Sequence, residues 1–124
     1  MADARRIKAN RKGHFGETIA CFMLRLKGYS ICERRYKTPV GEIDIIASRG
    51  RNYIFCEVKA RKDFVSAIES LAHKQKQRIS RAAELYMSRL KSNYENNKIE
   101  MVTYRCDLIL IVPWRWPVHI ENAW

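Results

Sequence analysis

The chain has 124 residues, a length for one domain that can bury roughly two-thirds of its unfolded surface and fold without metal or disulfide staples. Its 47% hydrophobic and 30% charged residues exclude a disordered chain, and its longest apolar run, Leu108–Val112, is strand-sized and far short of a bilayer span. Twenty-four Lys and Arg against 13 Asp and Glu give a net charge of +11, a field that draws polyanions, and nucleic acid before lipid, because a lipid-binding helix needs a cleaner apolar face.

Residues 1–13 read as a basic N-terminal arm, with Arg5, Arg6, Lys8, Arg11 and Lys12 in a stretch without periodicity that is either loose or the start of a helix. No apolar region follows to make it a secretory signal. Residues 14–124 read as a single domain. Phe15, Ile19, Phe22, Met23 and Leu26 recur at helical spacing over His14–Lys27, and Gly28 is the expected stop. Residues 29–36 form a strand, and Pro39 and Gly41 mark a turn. Two strands follow, Glu42–Ala47 and Tyr53–Ala60, with Gly50 and Asn52 suited to the hairpin loop between them.

A basic helix comes next. Ile68, Leu71 and Ala72 lie on its approach, and Ile79, Ala82, Ala83, Tyr86 and Leu90 form its apolar face. Lys74, Lys76, Arg78, Arg81, Arg89 and Lys91 load this segment against a single acid, Glu84. A polar loop over 93–98, a long strand over Met101–Val112 and a short one near Val118–Ile120 complete the chain. The order αβββαβ indicates an α/β fold with a mixed sheet and helices packed on it.

Cys21, Cys32, Cys56 and Cys106 form no CxxC and sit among apolar neighbours, which excludes a zinc ribbon and points to buried thiols in a reducing, cytoplasmic compartment. His14, His73 and His119 lack metal-ligand spacing. Asp107, two residues from Arg105 in a strand, reads as a buried or edge ion pair. Trp114 and Trp116 share a strand face and could stack on bases, but the flanking prolines favour packing at the core or sheet edge.

In so basic a chain the acids are the informative residues. Alternation puts Ile43, Ile45 and Ala47 on one face of the first central strand, with Glu42, Asp44 and Ile46 on the other. The second strand puts Tyr53, Phe55, Glu57 and Lys59 on one face. If the two pair as a hairpin with apolar faces together, the most compact register sets Ile45 against Cys56, Asp44 against Glu57 and Glu42 against Lys59. Two opposed carboxylates repel unless one takes a proton or a divalent cation bridges them. One or two carboxylates, water and substrate phosphate are what Mg²⁺ accepts. Lys59 would then assist at the reacting phosphate, and Arg61 would grip a neighbouring one. The competing reading is a salt-bridge ladder on a solvated sheet; against it, acids are depleted in strands and opposed like charges destabilise them.

GEIDIIA at 41–47 and FCEVKAR at 55–61 together resemble the D…ExK core of the PD-(D/E)xK nuclease superfamily, and more narrowly the uncharacterised YraN family, likened in fold to Holliday-junction resolvases and restriction endonucleases. GETIACFMLRLKGY at 16–29, KQKQRISRAAELYM at 74–87 and YRCDLILI at 104–111 extend the likeness over residues 14–124. Departures include Ile43 in place of the proline before Asp44. The resemblance implies a restriction endonuclease-like αβββαβ core, Mg²⁺ or Mn²⁺ at Asp44 and Glu57, and a catalytic Lys59. It also implies site roles for Glu17 on the first helix and Gln75 on the basic helix. For Glu17, spacing alone favours an exposed helix glutamate.

The expected function is metal-dependent hydrolysis of phosphodiester bonds in structured or branched DNA, with DNA favoured over RNA and no membrane partner. Arg11, Lys12, Arg61, Lys74, Arg78 and Arg81 are the expected backbone contacts. A homodimer is left open, since resolvases act as dimers on a two-fold junction. The alternative is a non-catalytic DNA- or RNA-binding module that retains the nuclease fold.

Overall fold

The computed structural model describes the backbone of residues 4–93 and 102–124, and side chains over 14–92 and 102–124. Helix α1 spans Ala4–Leu26, so it begins inside the basic N-terminal segment. The strands β1 (Ser30–Thr38), β2 (Gly41–Arg49) and β3 (Asn52–Ala60) follow, then helices α2 (Phe64–Glu69) and α3 (His73–Asn93), and strands β4 (Thr103–Ile111) and β5 (Val118–Ile120). The side chains of Arg11 and Lys12, and the loop expected over 94–98, lie outside the described residues. Among the described residues no helix is long and apolar enough to cross a membrane.

The five strands form one mixed sheet in the order β1-β2-β3-β4-β5. All neighbours are antiparallel except β3 and β4, which run parallel across the α2–α3 crossover. This is a mixed α/β fold with an αβββαβ restriction endonuclease-like core. Helices cover both faces. Ala20, Cys21, Met23 and Leu24 of α1 pack on Ile45, Ala47, Ile54, Cys56 and Ile109. On the other face, Ile79, Ala82, Ala83 and Met87 of α3 pack on Ile43, Ile46, Phe55, Leu108 and Leu110. A sheet buried on both faces is not the solvated ladder of the competing reading.

Local chemistry sets the boundaries. Helix α1 ends in a Schellman motif: Tyr29 N–H bonds Leu24 C=O and Gly28 N–H bonds Arg25 C=O, with Gly28 at φ 91°. Asp63 caps α2 by accepting from Ser66 N–H at 2.8 Å, which makes the approach to α3 a separate short helix. Gly41 lets β2 pass under α3, since a Cβ there would lie 2.6 Å from the Arg78 carbonyl oxygen.

Four expectations need correction. Of the expected stripe Phe15, Ile19, Phe22, Met23 and Leu26, Met23 is buried and Ile19 half-buried, but Phe15, Phe22 and Leu26 point outward, with Phe15 68% exposed. Small residues win the contact with the sheet, because Gly16 and Ala20 allow close approach; a Cβ on Gly16 would already touch Ala60 Cβ at 3.4 Å. The expected register holds from Ile45↔Cys56 to Arg49↔Asn52, but the paired ladder stops there, so Asp44↔Glu57 and Glu42↔Lys59 are not ladder pairs. Ile43 joins Ile46 and Phe55 beneath α3 and not Ile45, so alternation breaks at Asp44. Trp114 is fully exposed and Trp116 is 64% exposed, so neither packs in the core. The loop turns out at Trp114, whose φ is 63°, while Pro117 is buried behind it.

Candidate active site

The ladder between β2 and β3 opens where the charged residues begin. Asp44 Oδ2 accepts from Val58 N–H at 2.8 Å, so a side chain takes the place of a strand carbonyl. This carries the Asp44 carboxylate against Glu57, which is only 5% exposed although it is an acid in a central strand. Glu57 Oε1 accepts from Gln75 Nε2 at 2.9 Å and lies 3.2 Å from Lys59 Nζ. Lys59 Nζ donates to Gln75 Oε1 at 3.1 Å. Strand β3 points Glu57 and Lys59 to the α3 face by their period of two, and Gln75, in the first turn of α3, meets both.

Burial is the first cause that pushes Asp44 up to about 6; the Val58 N–H opposes it, and the charge of Glu17 adds to it. Burial, and then the charge of Asp44, push Glu57 up to about 8, against the pull of Lys59. The pair is therefore short of positive charge, and at neutral pH it holds a proton or accepts a cation.

Among the described residues no three His, Cys, Asp or Glu side chains converge to cage a metal. The pair supplies two carboxylates and leaves further positions to water and a substrate phosphate. That hard-oxygen set fits Mg²⁺ or Mn²⁺, and does not fit a dedicated protein cage for a softer ion.

Asp44, Glu57, Lys59 and Gln75 thus come together from β2, β3 and α3. Glu17 is buried, not an exposed helix glutamate, and its charge reaches Asp44, but its carboxylate is bound by Arg35 Nε at 2.8 Å. Arg35 escaped the sequence reading. It sits in β1 at φ 51°, beside Arg34, whose Nη2 donates to Thr18 Oγ1 at 3.2 Å. Two adjacent arginines in a strand, facing Glu17 and Thr18 on a helix, were the available signal. Glu42 is exposed and opposes Lys37 of β1, so it stands outside the cluster.

Lys74, Arg78 and Arg81 are exposed along one side of α3, at the helical spacing that leaves its apolar side on the sheet. Arg61 is exposed just beyond β3, with Nη1 donating to Ala60 C=O at 2.7 Å. Asp107, Cys21, Cys56 and Cys106 are buried away from solvent as expected, Cys32 is half-buried, and all four cysteines are free thiols. Asp107 is held by Arg105 Nε at 2.9 Å, His119 Nε2 at 2.7 Å and Asn122 N–H at 2.9 Å, a structural knot tying β5 and the C-terminus to β4.

Comparison with known proteins gives the family of the chain. Residues 16–111 match the description of the Uncharacterised protein family UPF0102. The chain is 46% identical over 120 residues to a UPF0102 protein of Mesorhizobium japonicum, covering 97% of this chain and 91% of the relative. A UPF0102 protein of Chelativorans is 46% identical over 125 residues, covering 99% and 96%. One from Sinorhizobium medicae is 39% identical over 122 residues, covering 98% and 95%. The chain belongs to the uncharacterised family UPF0102, the YraN family.

Proposed function

We propose that this protein is a metal-dependent phosphodiester hydrolase acting on DNA, with branched or otherwise structured DNA as its substrate. One observation carries the reading: the half-buried Asp44 and the buried Glu57 stand against each other beside Lys59, an arrangement that is unfavourable unless positive charge completes it. Mg²⁺ or Mn²⁺ at these two carboxylates would supply charge to the scissile phosphate and acidify water for the attack.

The chain's own groups do the positioning. Lys59 holds its ammonium at the edge of the pair, where negative charge grows on the phosphate during attack. Gln75 fixes the spacing of Glu57 and Lys59 through one amide. Arg35 holds the Glu17 carboxylate at 2.8 Å, and the charge of Glu17 is felt at Asp44. Lys74, Arg78 and Arg81 present a row of cations for the DNA backbone on the helix that carries Gln75. The choice of branched DNA rests on the resemblance to junction resolvases.

The test is incubation with forked, four-way and linear DNA, with and without Mg²⁺ or Mn²⁺. Wild type should cut at least one of them only with metal. Asp44→Ala and Lys59→Ala should bind the same DNA and leave it intact. Wild type that binds all three and cuts none would make the protein a non-catalytic binding module. Equal cutting by wild type and Asp44→Ala would reject the assigned site.

A further inference from the structure

A second feature lies across the sheet from α3, at the same end of β3 and β4 as the carboxylates. Helix α1 and the loop from β4 to β5 enclose an open groove of about 590 Å³. Phe15 and Ile19 form one apolar wall, and Pro113 and Trp114 form the other. Three cations, Arg61, Lys62 and Arg115, also line it, and no acid does among the described residues. Gly16 and Ala60 meet at its floor, each the chain neighbour of a residue at the carboxylate site, Glu17 and Lys59.

Trp114 is the informative residue. Its ring is fully exposed, and its backbone has φ 63°, a conformation that bulky residues rarely adopt. Packing therefore does not explain why a large aromatic stands there. Flat apolar rings beside cations, without acids, match a strand of unpaired nucleotides: bases stack on aromatic faces and phosphates meet the cations. A second copy of the chain fits worse, because cations of one sign would face each other across a two-fold axis, and the centre of a dimer interface is depleted of charge.

We infer that this groove takes unpaired nucleobases of the DNA substrate, with Trp114 as the stacking surface and Arg61, Lys62 and Arg115 at the flanking phosphates. The inference takes the identity of the substrate from the proposed function and adds a requirement for a single-stranded segment beside the cleavage point.

The experiment reads binding in EDTA, so that it is separate from cleavage. The probes are oligothymidylate, a forked duplex with an oligothymidylate arm, and a blunt duplex, each followed by fluorescence anisotropy. Trp114→Ala should weaken binding to the first two by about 5- to 150-fold, the range for loss of one base stack, and leave the blunt duplex within two-fold. Trp114→Phe should keep most of the affinity. Trp116→Ala, at an exposed tryptophan outside the groove, should change nothing.

Equal binding of the single-stranded probes by wild type and Trp114→Ala would overturn the inference, as would an equal loss on the blunt duplex. A wild-type dimer that Trp114→Ala dissolves would assign the groove to a second copy. A wild type that stacks as described but never cuts would keep this inference and reject the hydrolase.

Discussion

The side-chain amide of Gln75 donates from Nε2 to Glu57 Oε1 at 2.9 Å, while its own oxygen accepts from Lys59 at 3.1 Å. One residue on α3 thereby sets the distance between Glu57 and Lys59 of β3. Groups that orient a metal-binding carboxylate usually matter about 10–100-fold. Gln75→Ala should lower the single-turnover cleavage rate by about that factor, with DNA affinity and thermal midpoint nearly unchanged. An unchanged rate would show that Glu57 and Lys59 hold their places without it.

The buried pair also sets a pH dependence. Asp44 and Glu57 both titrate above their ordinary values in the folded chain, at about 6 and about 8. The folded state therefore binds more protons than the unfolded state through the window from about pH 4 to pH 8. The stability contributed by these neutral carboxyls is full below that window and is lost as pH rises through it. In EDTA, wild type should weaken from pH 5 to pH 8, whereas Asp44→Asn and Glu57→Gln should weaken less and be more stable than wild type at pH 8. The gain should be a few kcal/mol at most, on the order expected for one carboxylate. Urea melts at the two pH values decide it; variants that are less stable than wild type at pH 8 would contradict the account.

Asp107 runs the other way. Burial raises its pKa, but bonds from His119, the Asn122 N–H and Arg105 outweigh burial and hold the carboxyl below its ordinary value. Its contribution is present above about pH 4 and is lost as pH falls through the folded value. Asp107→Ala takes the acceptor from Arg105 Nε and His119 Nε2 but leaves Arg105 its contacts with Tyr29 and Glu121, and should cost about 1.5–3 kcal/mol at pH 7. Denaturant titration measures this directly. A cost under about 1 kcal/mol would mean that water replaces the carboxylate readily.

The cations on α3 predict a salt dependence. Each phosphate contact contributes about −0.9 to the slope of log affinity against log salt on duplex DNA. Replacing Lys74, Arg78 and Arg81 together with alanine should make that slope shallower by roughly 2.7, three such contacts. Titrations at several salt concentrations check it. An unchanged slope would move the duplex to another face.

Much of this architecture could be read from the residues, and the failures have local causes. The hairpin register was legible because alternation and the Gly50–Asn52 loop agree on it, and it holds from Cys56 to Asn52. Alternation could not foresee that Asp44 would take the Val58 N–H, which ends the ladder one residue before the expected acid pair. Helical spacing on α1 offered two faces. The large residues Phe15 and Phe22 made one of them conspicuous, but close packing chose Gly16 and Ala20. The Glu17–Arg35 pair joins a helix to a strand through a left-handed residue; the adjacent arginines at 34 and 35 hinted at a partner, but no periodicity within β1 or α1 says which. Gln75 entered only through the resemblance; its contacts with Glu57 and Lys59 are what make it part of the cluster.

Strand β3 has its parallel neighbour β4 only after the α2–α3 crossover has been made. During synthesis, β3 can pair with β2 early, while its other backbone edge waits some forty residues for a partner. A ribosome paused in that interval would present an apolar, hydrogen-bond-hungry strand to its surroundings. Translation speed and chaperone contact over the crossover should therefore govern how much of this protein reaches the folded state.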